Sequence, residues 1–257
     1  MITRRAALGM AGASLLAAGI ALSGGTWALM ERAFTVPPSP RAPASGGAGP
    51  SAGEGDPWGF EEVDWAGWAQ ESPDMAGWIQ MPAAGLSLPV MAATADDPGR
   101  YLDRDAWGGW NFAGTPFLDA ECAGDFDVGC APVLGHHLAG GRGFSVLAGM
   151  AEPSRAAELS LVLLQTPRWR RVYDAMFVSV VDAARGGKRI GFAGAGDFAA
   201  WWEEERARAA VVLDAETVPA RALQLVTCSY TTYANERPVV TCAPRLPLPA
   251  GGAGAVP

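Results

Sequence analysis

A mainly β fold, closed or nearly closed into a barrel, is the architecture this sequence predicts. Many short runs of β-branched and aliphatic residues recur along it, bounded by Gly, Pro and Asp turns. Few stretches show helical spacing, and many short strands with few helices indicate a barrel. The chain has 257 residues. Once the apolar leader and a Pro/Gly-rich stretch are set aside, roughly 200 residues remain, enough for one domain with a full core.

Residues 1–32 read as a membrane anchor or export signal. Arg4 and Arg5 precede Ala6 to Met30, a stretch without charge. As a helix it would span about 37 Å, more than the ~30 Å hydrocarbon core of a bilayer. The two arginines would stay on the cytoplasmic side and the body would be exported. Arg4-Arg5 also resembles a twin-arginine export signal, which can be cleaved. No strong small-x-small cleavage site follows, so a retained single-pass anchor in the cell membrane, with the body outside, is the expectation. Residues 33–57, rich in Pro, Ala, Ser and Gly, read as a linker, because they cannot bury enough apolar area to fold.

The folded body spans 58–246. Phe60, Val63 and Trp68 recur at helical spacing and predict a short amphipathic helix. Trp78 to Pro82 and Leu86 to Val90 predict two strands around an Ala-Ala-Gly turn. Thr115 to Leu118 and Ala131 to Gly135 follow as strands. Arg171 to Val181 is the longest β-rich run. Asp197 to Ala210 predicts the clearest helix, with Asp197 as N-cap and Phe198, Trp201 and Trp202 on its apolar side. Leu223 to Thr227 and Val239 to Ala243 complete the strands, and residues 247–257 form a flexible tail.

Hydrophobic content is 49% with net charge −8, and mean hydropathy is +0.11. The acidity excludes nucleic acid as a partner, since neutralising phosphates needs clustered Lys and Arg. Four cysteines stand at 122, 130, 228 and 242. None forms Cys-x-x-Cys, so no metal site is expected. In an exported body Cys122 and Cys130 could pair across the turn-rich loop between them, with two separately buried thiols as the alternative.

Two segments carry the chemistry. Val133-Leu134-Gly135-His136-His137 is an aliphatic run ending in Gly-His. Leu223-Gln224-Leu225-Val226-Thr227-Cys228 is a second such run ending in Thr-Cys, with Arg237 nine positions later. Nucleophile, base and oxyanion donor are the parts that thiol acyl transfer needs. His136 and His137 are the only histidines, so any imidazole partner of Cys228 is one of them. Neighbours on a strand face opposite ways, so only one can meet the thiol. By itself, a lone cysteine is more often a buried structural thiol.

Together these segments resemble the catalytic segments of sortases, the cysteine transpeptidases that anchor proteins to bacterial cell walls. The matching residues are Gly135-His136, Leu225-x-Thr227-Cys228 and Arg237-x-Val239-Val240. Further segments resemble the class B group: Pro73-Asp74 leading to Gly77-Trp78-Ile79, Leu88-Pro89-Val90, Tyr101-Leu102-x-x-Asp105 before Gly108, and Gly114-Thr115-x-Phe117-Leu118-Asp119. The Trp-rich helix before the cysteine strand resembles that group's extra helix. Gln224 stands where the motif has Thr, His137 where class B often has Asn, and Pro238 follows the arginine.

The resemblance implies a sortase-type eight-stranded β-barrel with N-terminal helices and that extra helix. It implies Cys228 as nucleophile, His136 as general acid, Arg237 as binder of substrate backbone and oxyanion, and no cofactor. Thr227, Ser229, Tyr230 and Glu236, which flank these residues, are the candidate substrate-binding positions. The implied partners are surface proteins with a C-terminal sorting signal, and an amine acceptor on a cell-wall precursor or a pilin. Two other readings remain open: an exported cysteine peptidase that resolves the thioester with water, and a non-catalytic surface binding module.

Overall fold

Backbone pairing runs around eight strands without an open edge. The computed structural model describes residues 56–138, 143–182, 188–227 and 236–245. The strands are β1 Met75–Met81, β2 Leu86–Ala92, β3 Phe117–Leu118, β4 Cys130–Gly135, β5 Leu161–Gln165, β6 Arg170–Asp182, β7 Val211–Val212, β8 Ala222–Thr227 and β9 Glu236–Pro244. They pair in the order β5-β1-β2-β3-β4-β8-β9-β6, and β5 then pairs with β6 to close the ring. β7 adds to β6 outside the barrel. Closure satisfies the edges of the eight barrel strands internally, which is the reason short strands suffice here.

Among the described residues three helices decorate the barrel: α1 Trp65–Glu71, α2 Pro153–Glu158 and α3 Ala195–Ala207. The sequence expectation of a short helix over Phe60 to Trp68 is corrected at its start. The Asp56 carboxylate takes the backbone N–H of Trp58 and of Phe60, each at 2.9 Å, which turns the chain instead of coiling it. The helix begins only after Asp64, whose side chain accepts from Gly67 N at 2.9 Å as an N-cap. Likewise α3 starts two residues before Asp197 and ends at Ala207. Asp197 sits in the first turn, accepts from Ala193 N at 2.9 Å, and pairs with Arg189. The Ala193 N–H, then Arg189, hold its carboxyl below the usual carboxylate range.

Each wall strand serves two cores. Val133 of β4, Leu223 and Leu225 of β8, and Val240 and Cys242 of β9 point into the barrel, where Phe144, Leu147 and Met150 of the Gly143–Ala151 3-10 segment fill the space between them. At alternate positions of the same strands Cys130, Ala222 and Ala243 belong to an outer core with Phe198, Trp201 and Trp202 of α3. α1 buries Trp68 against Trp78, Met91 and Tyr101. Strand β5 and the helical stretch 143–158 were not foreseen. Leu161-Val162-Leu163-Leu164 is a continuous apolar run buried on both faces, so it lacks the alternation that marks a half-exposed strand.

Cys122 and Cys130 are both free, buried thiols, which corrects the disulfide expectation. Cys122 belongs to the barrel interior and Cys130 to the outer core beneath α3. No helix among the described residues is long and apolar enough to cross a membrane. Residues 1–55, which carry the anchor and nearly all of the linker, and the 247–257 tail lie outside the described residues.

The α3 core predicts a large packing loss on truncation. Trp202 is 0% exposed, meets Phe177 edge-on at 4.9 Å, and donates from Nε1 to Thr217 O at 3.0 Å. Trp202→Ala should cost about 3–5 kcal/mol in urea unfolding. Trp110→Ala, at a side chain 70% exposed, should stay within about 0.5 kcal/mol.

Candidate functional site

β4 and β8 are parallel neighbours, paired residue by residue from Cys130↔Ala222 to Gly135↔Thr227. His136 and Cys228 are the next residues in sequence after that last pair. On β8's other side the pairing is antiparallel, ending at Val226↔Val239. Arg237 stands two residues before Val239 and Cys228 two after Val226. Cys228, Ser229 and Tyr230 lie outside the described residues, as does the Glu236 side chain.

His136 is held by backbone. Its Nε2 donates to Leu102 O at 2.6 Å. A carbonyl can only accept, so the hydrogen sits on Nε2 and Nδ1 is the nitrogen left for chemistry. The Leu102 carbonyl is itself fixed. Tyr101, 2% exposed, donates from its hydroxyl to Asp74 at 2.8 Å, and Thr115 N donates to Tyr101 O at 3.0 Å. Burial first, and the Asp74 hydrogen bond second, push the Tyr101 phenol up to about 12, so it stays a donor.

Two glycines make this approach possible. Gly114 has φ +63, and a Cβ there would meet Tyr101 O at 2.5 Å and His136 Cδ2 at 3.0 Å. A Cβ on Gly135 would lie 2.7 Å from Phe144 Cγ. The Gly before His136 is therefore a packing requirement as well as part of the motif.

A groove of about 460 Å³ opens on the outer face of the same strands. Its floor includes Leu134, Val226, Val239 and Val181, with Gln224 and Arg237 among them. Arg237 pairs with Val181 in register and forms no ion pair among the described residues. At the side, Lys188 Nζ lies 2.8 Å from Asp119 and 2.8 Å from Glu121. Burial opposes the Lys188 charge, but the Asp119 and Glu121 carboxylates outweigh it and raise its pKa. Burial raises the Glu205 carboxyl, tempered by Arg208 at 3.1 Å.

Of the sequence-derived candidates, the register brings His136 and Arg237 to the end of the strands that lead to Cys228. Thr227 faces the barrel interior at 1% exposed, and its hydroxyl is buried without a partner among the described residues. That follows from alternation with Leu225. His137 Nδ1 is likewise buried and unpartnered there. Sequence reading did not single out Leu102 and Gly114 as the support of His136, because their contacts to it are non-local. No cluster among the described residues could hold a metal ion.

No family model matches the sequence, and no curated protein does. Solved structures match the fold. Clostridium perfringens sortase B superposes with a TM-score of 0.63 at 20% identity, covering 70% of this chain and 98% of that one. Bacillus anthracis sortase B, in complex with AAEK1, gives 0.62 at 21% identity, covering 70% and 83%. A Staphylococcus aureus sortase B–substrate complex gives 0.62 at 18% identity, covering 70% and 84%. The barrel is a sortase fold.

Two measurements check this geometry. Gly114→Ala should displace the imidazole, shifting the His136 side-chain resonances in ¹H–¹⁵N NMR and lowering the unfolding midpoint. Unchanged resonances would mean that the close approach is not what holds the ring. The second concerns thiols. Burial first, then Asp119, pushes Cys122 up to about 12, and burial raises Cys130 and Cys242 as well. All three stay protonated at pH 8, so iodoacetamide should leave them unmodified in native protein, and all four cysteines should react after denaturation. A 122–130 linked peptide in unreduced protein would contradict the free thiols.

Proposed function

We propose that this chain is a sortase-type cysteine transpeptidase of the class B kind, exported and tethered to the cell membrane by residues 1–32. One observation carries the reading. In β4 and β8 the residues at even positions, Pro132, Leu134, Gln224 and Val226, line the groove, as do odd positions 237 and 239 in β9. An extended continuation of β4 and β8 by one residue would, by the same alternation, carry His136 and Cys228 on the groove side, beside Arg237. Three side-chain types suited to thiol acyl transfer then converge at one end of one groove.

The chemistry follows from the parts. Cys228 gives its proton to His136 Nδ1 and the thiolate attacks the carbonyl carbon of the scissile peptide bond. Arg237, a planar cation with several N–H donors, stabilises the oxyanion and holds the substrate backbone. His136 Nδ1–H protonates the leaving amine as the C–N bond breaks, and a thioester remains on Cys228. An acceptor amine loses its proton to His136 and attacks the thioester, forming a new amide and returning the thiolate. The Nε2–H bond to Leu102 O persists through both half-reactions and keeps Nδ1 aimed at the reacting atoms. Substrate would be a surface protein with a C-terminal sorting signal; the acceptor would be an amine of a cell-wall precursor or a pilin.

Incubation of the protein with sorting-signal peptides, with and without an amine acceptor, followed by mass spectrometry, tests the reading. Cys228→Ala should abolish cleavage and thioester formation; substantial product from that variant sinks the assignment. His136→Ala should slow cleavage by about 10²–10⁴-fold, whereas His137→Asn should be tolerated. Arg237→Lys should be severely impaired, because Lys keeps the charge and loses the planar fork. An amide-linked conjugate identifies a transpeptidase, and hydrolysis alone at saturating amine identifies a peptidase.

A further inference from the structure

Trp110, Leu102 and Phe112 are large apolar side chains left in water, 70%, 46% and 38% exposed. All three belong to one short ribbon between β2 and β3. Arg104 and Trp110 form its antiparallel bridge. Hydrogen bonds from Asn111 N to Asp103 O at 2.9 Å and from Asp105 N to Gly109 O at 2.8 Å flank that bridge. Residues directly opposed across such a bridge share a face, so Arg104 and Trp110 lie on one side of the ribbon. Phe112, two residues on, lies there too, with its ring centroid 6.5 Å from that of Trp110. The same register sets Leu102 opposite Phe112, where the first arm leaves the Arg100–Leu102 3-10 turn.

The ribbon is held from behind. The Asp105 carboxylate takes the N–H of Trp107 at 2.9 Å and of Gly109 at 2.8 Å. Thr115 Oγ1 donates to Arg104 O at 3.0 Å. Ala106 is buried, and Trp107 lies 5.1 Å from Trp68 of α1 and donates from Nε1 to Glu71 at 3.2 Å. A backbone fixed at this many points cannot turn Trp110 inward to escape water. The exposure of the rings is therefore built in, although it forfeits the stability their burial would give. An apolar cluster of this kind marks a contact surface.

Shape, composition and charge choose the partner. Trp110 stands out of the surface, so a rigid protein would need a matching socket, whereas the headgroup and acyl boundary of a bilayer yields around a wedge. Trp couples an apolar ring to an N–H that stays wet, which suits the boundary between lipid and water, and Phe and Leu add apolar area beside it. The arginines of the ribbon are neutralised locally. Arg104 Nε lies 3.6 Å from Asp103, and Arg100 Nε 3.8 Å from Asp74. In a chain of net charge −8, such a face draws no anionic headgroup and fits a zwitterionic one. The face is also continuous with the candidate site, because Leu102 O accepts from His136 Nε2.

We propose that Leu102, Trp110 and Phe112 form a wedge that seats the His136 end of the body on a zwitterionic lipid surface, so that the site meets peptide bonds presented at that surface. The proposal rests on the membrane tether in the reading above. A linker over 33–55 spans up to ~75 Å when extended, so the tether alone does not choose which face meets the bilayer. The wedge makes that choice.

The test uses the full chain with phosphatidylcholine vesicles whose acyl chains carry bromine, a quencher of tryptophan emission. Trp110→Phe keeps a ring in the wedge and removes one fluorophore, so the emission lost in that variant is the share of Trp110. That share should be strongly quenched by the brominated lipid and shielded from acrylamide in the water. Phe112→Asp should weaken docking by about tenfold or more and release Trp110 from the quencher while the chain stays with the vesicles. Val218→Asp, at another exposed apolar residue, should leave the quenching as it is. A chain bound to vesicles with Trp110 unquenched, or quenched equally in Phe112→Asp, overturns the wedge and leaves the tether standing. Shielding of Trp110 by a sorting-signal peptide in place of lipid also overturns it and gives the face to the peptide. A chain recovered free of the vesicles, with Trp110 unquenched, overturns tether and wedge together.

Discussion

The parallel pairing of β4 with β8 is the constraint on which the rest of the molecule depends. Parallel neighbours cannot be joined by a tight turn, so everything between Gly135 and Ala222 is a crossover. That crossover carries the 3-10 segment that fills the barrel, the long strand β6 that closes it, and α3 that covers its flank. In return the pairing fixes the registry of two strand ends that are about ninety residues apart in sequence. A slip of one residue would turn Leu225 out of the core and Gln224 and Val226 into it.

The barrel wall divides labour between odd and even positions. Inward residues of β4, β8 and β9 make one apolar interior, and outward residues make either a core with α3 or the groove floor. The site's rigidity comes from the first set and its chemistry from the second. Thr227 and His137 show the cost of this arrangement. Each sits beside a candidate catalytic residue and holds a polar atom buried with no partner among the described residues. Such groups are disfavoured by a few kcal/mol at most, and the packing around Val133 and Leu225 outweighs them.

Much of this was legible in the sequence. Gly-His and Thr-Cys at the ends of aliphatic runs, with an arginine just beyond, marked the candidate site residues. Alternating runs such as Arg171 to Val181 disclosed strands, and together they implied a barrel. What escaped has a physical pattern. β5 is apolar on both faces and shows no period. α1 is shortened by Asp56, whose carboxylate captures two backbone donors, an effect invisible to hydrophobic spacing. Cys122 and Cys130 are both free, and each is buried in a different apolar cluster, a separation that their short sequence spacing does not disclose. The support of His136 by Leu102 O depends on a loop more than thirty residues upstream, which local pattern cannot reach.

Because neighbouring residues of the wall strands answer to different surroundings, their histories can separate. Substitutions on the outward positions alter what the groove accepts and leave interior volume untouched. Interior positions can exchange one aliphatic residue for another without altering the groove. Drift along both sets proceeds independently until little common text survives, while the ladder of backbone bonds that links the strands is preserved. A chain with about a fifth of its residues in common with sortase B structures, and the same fold, is what such a division of roles permits.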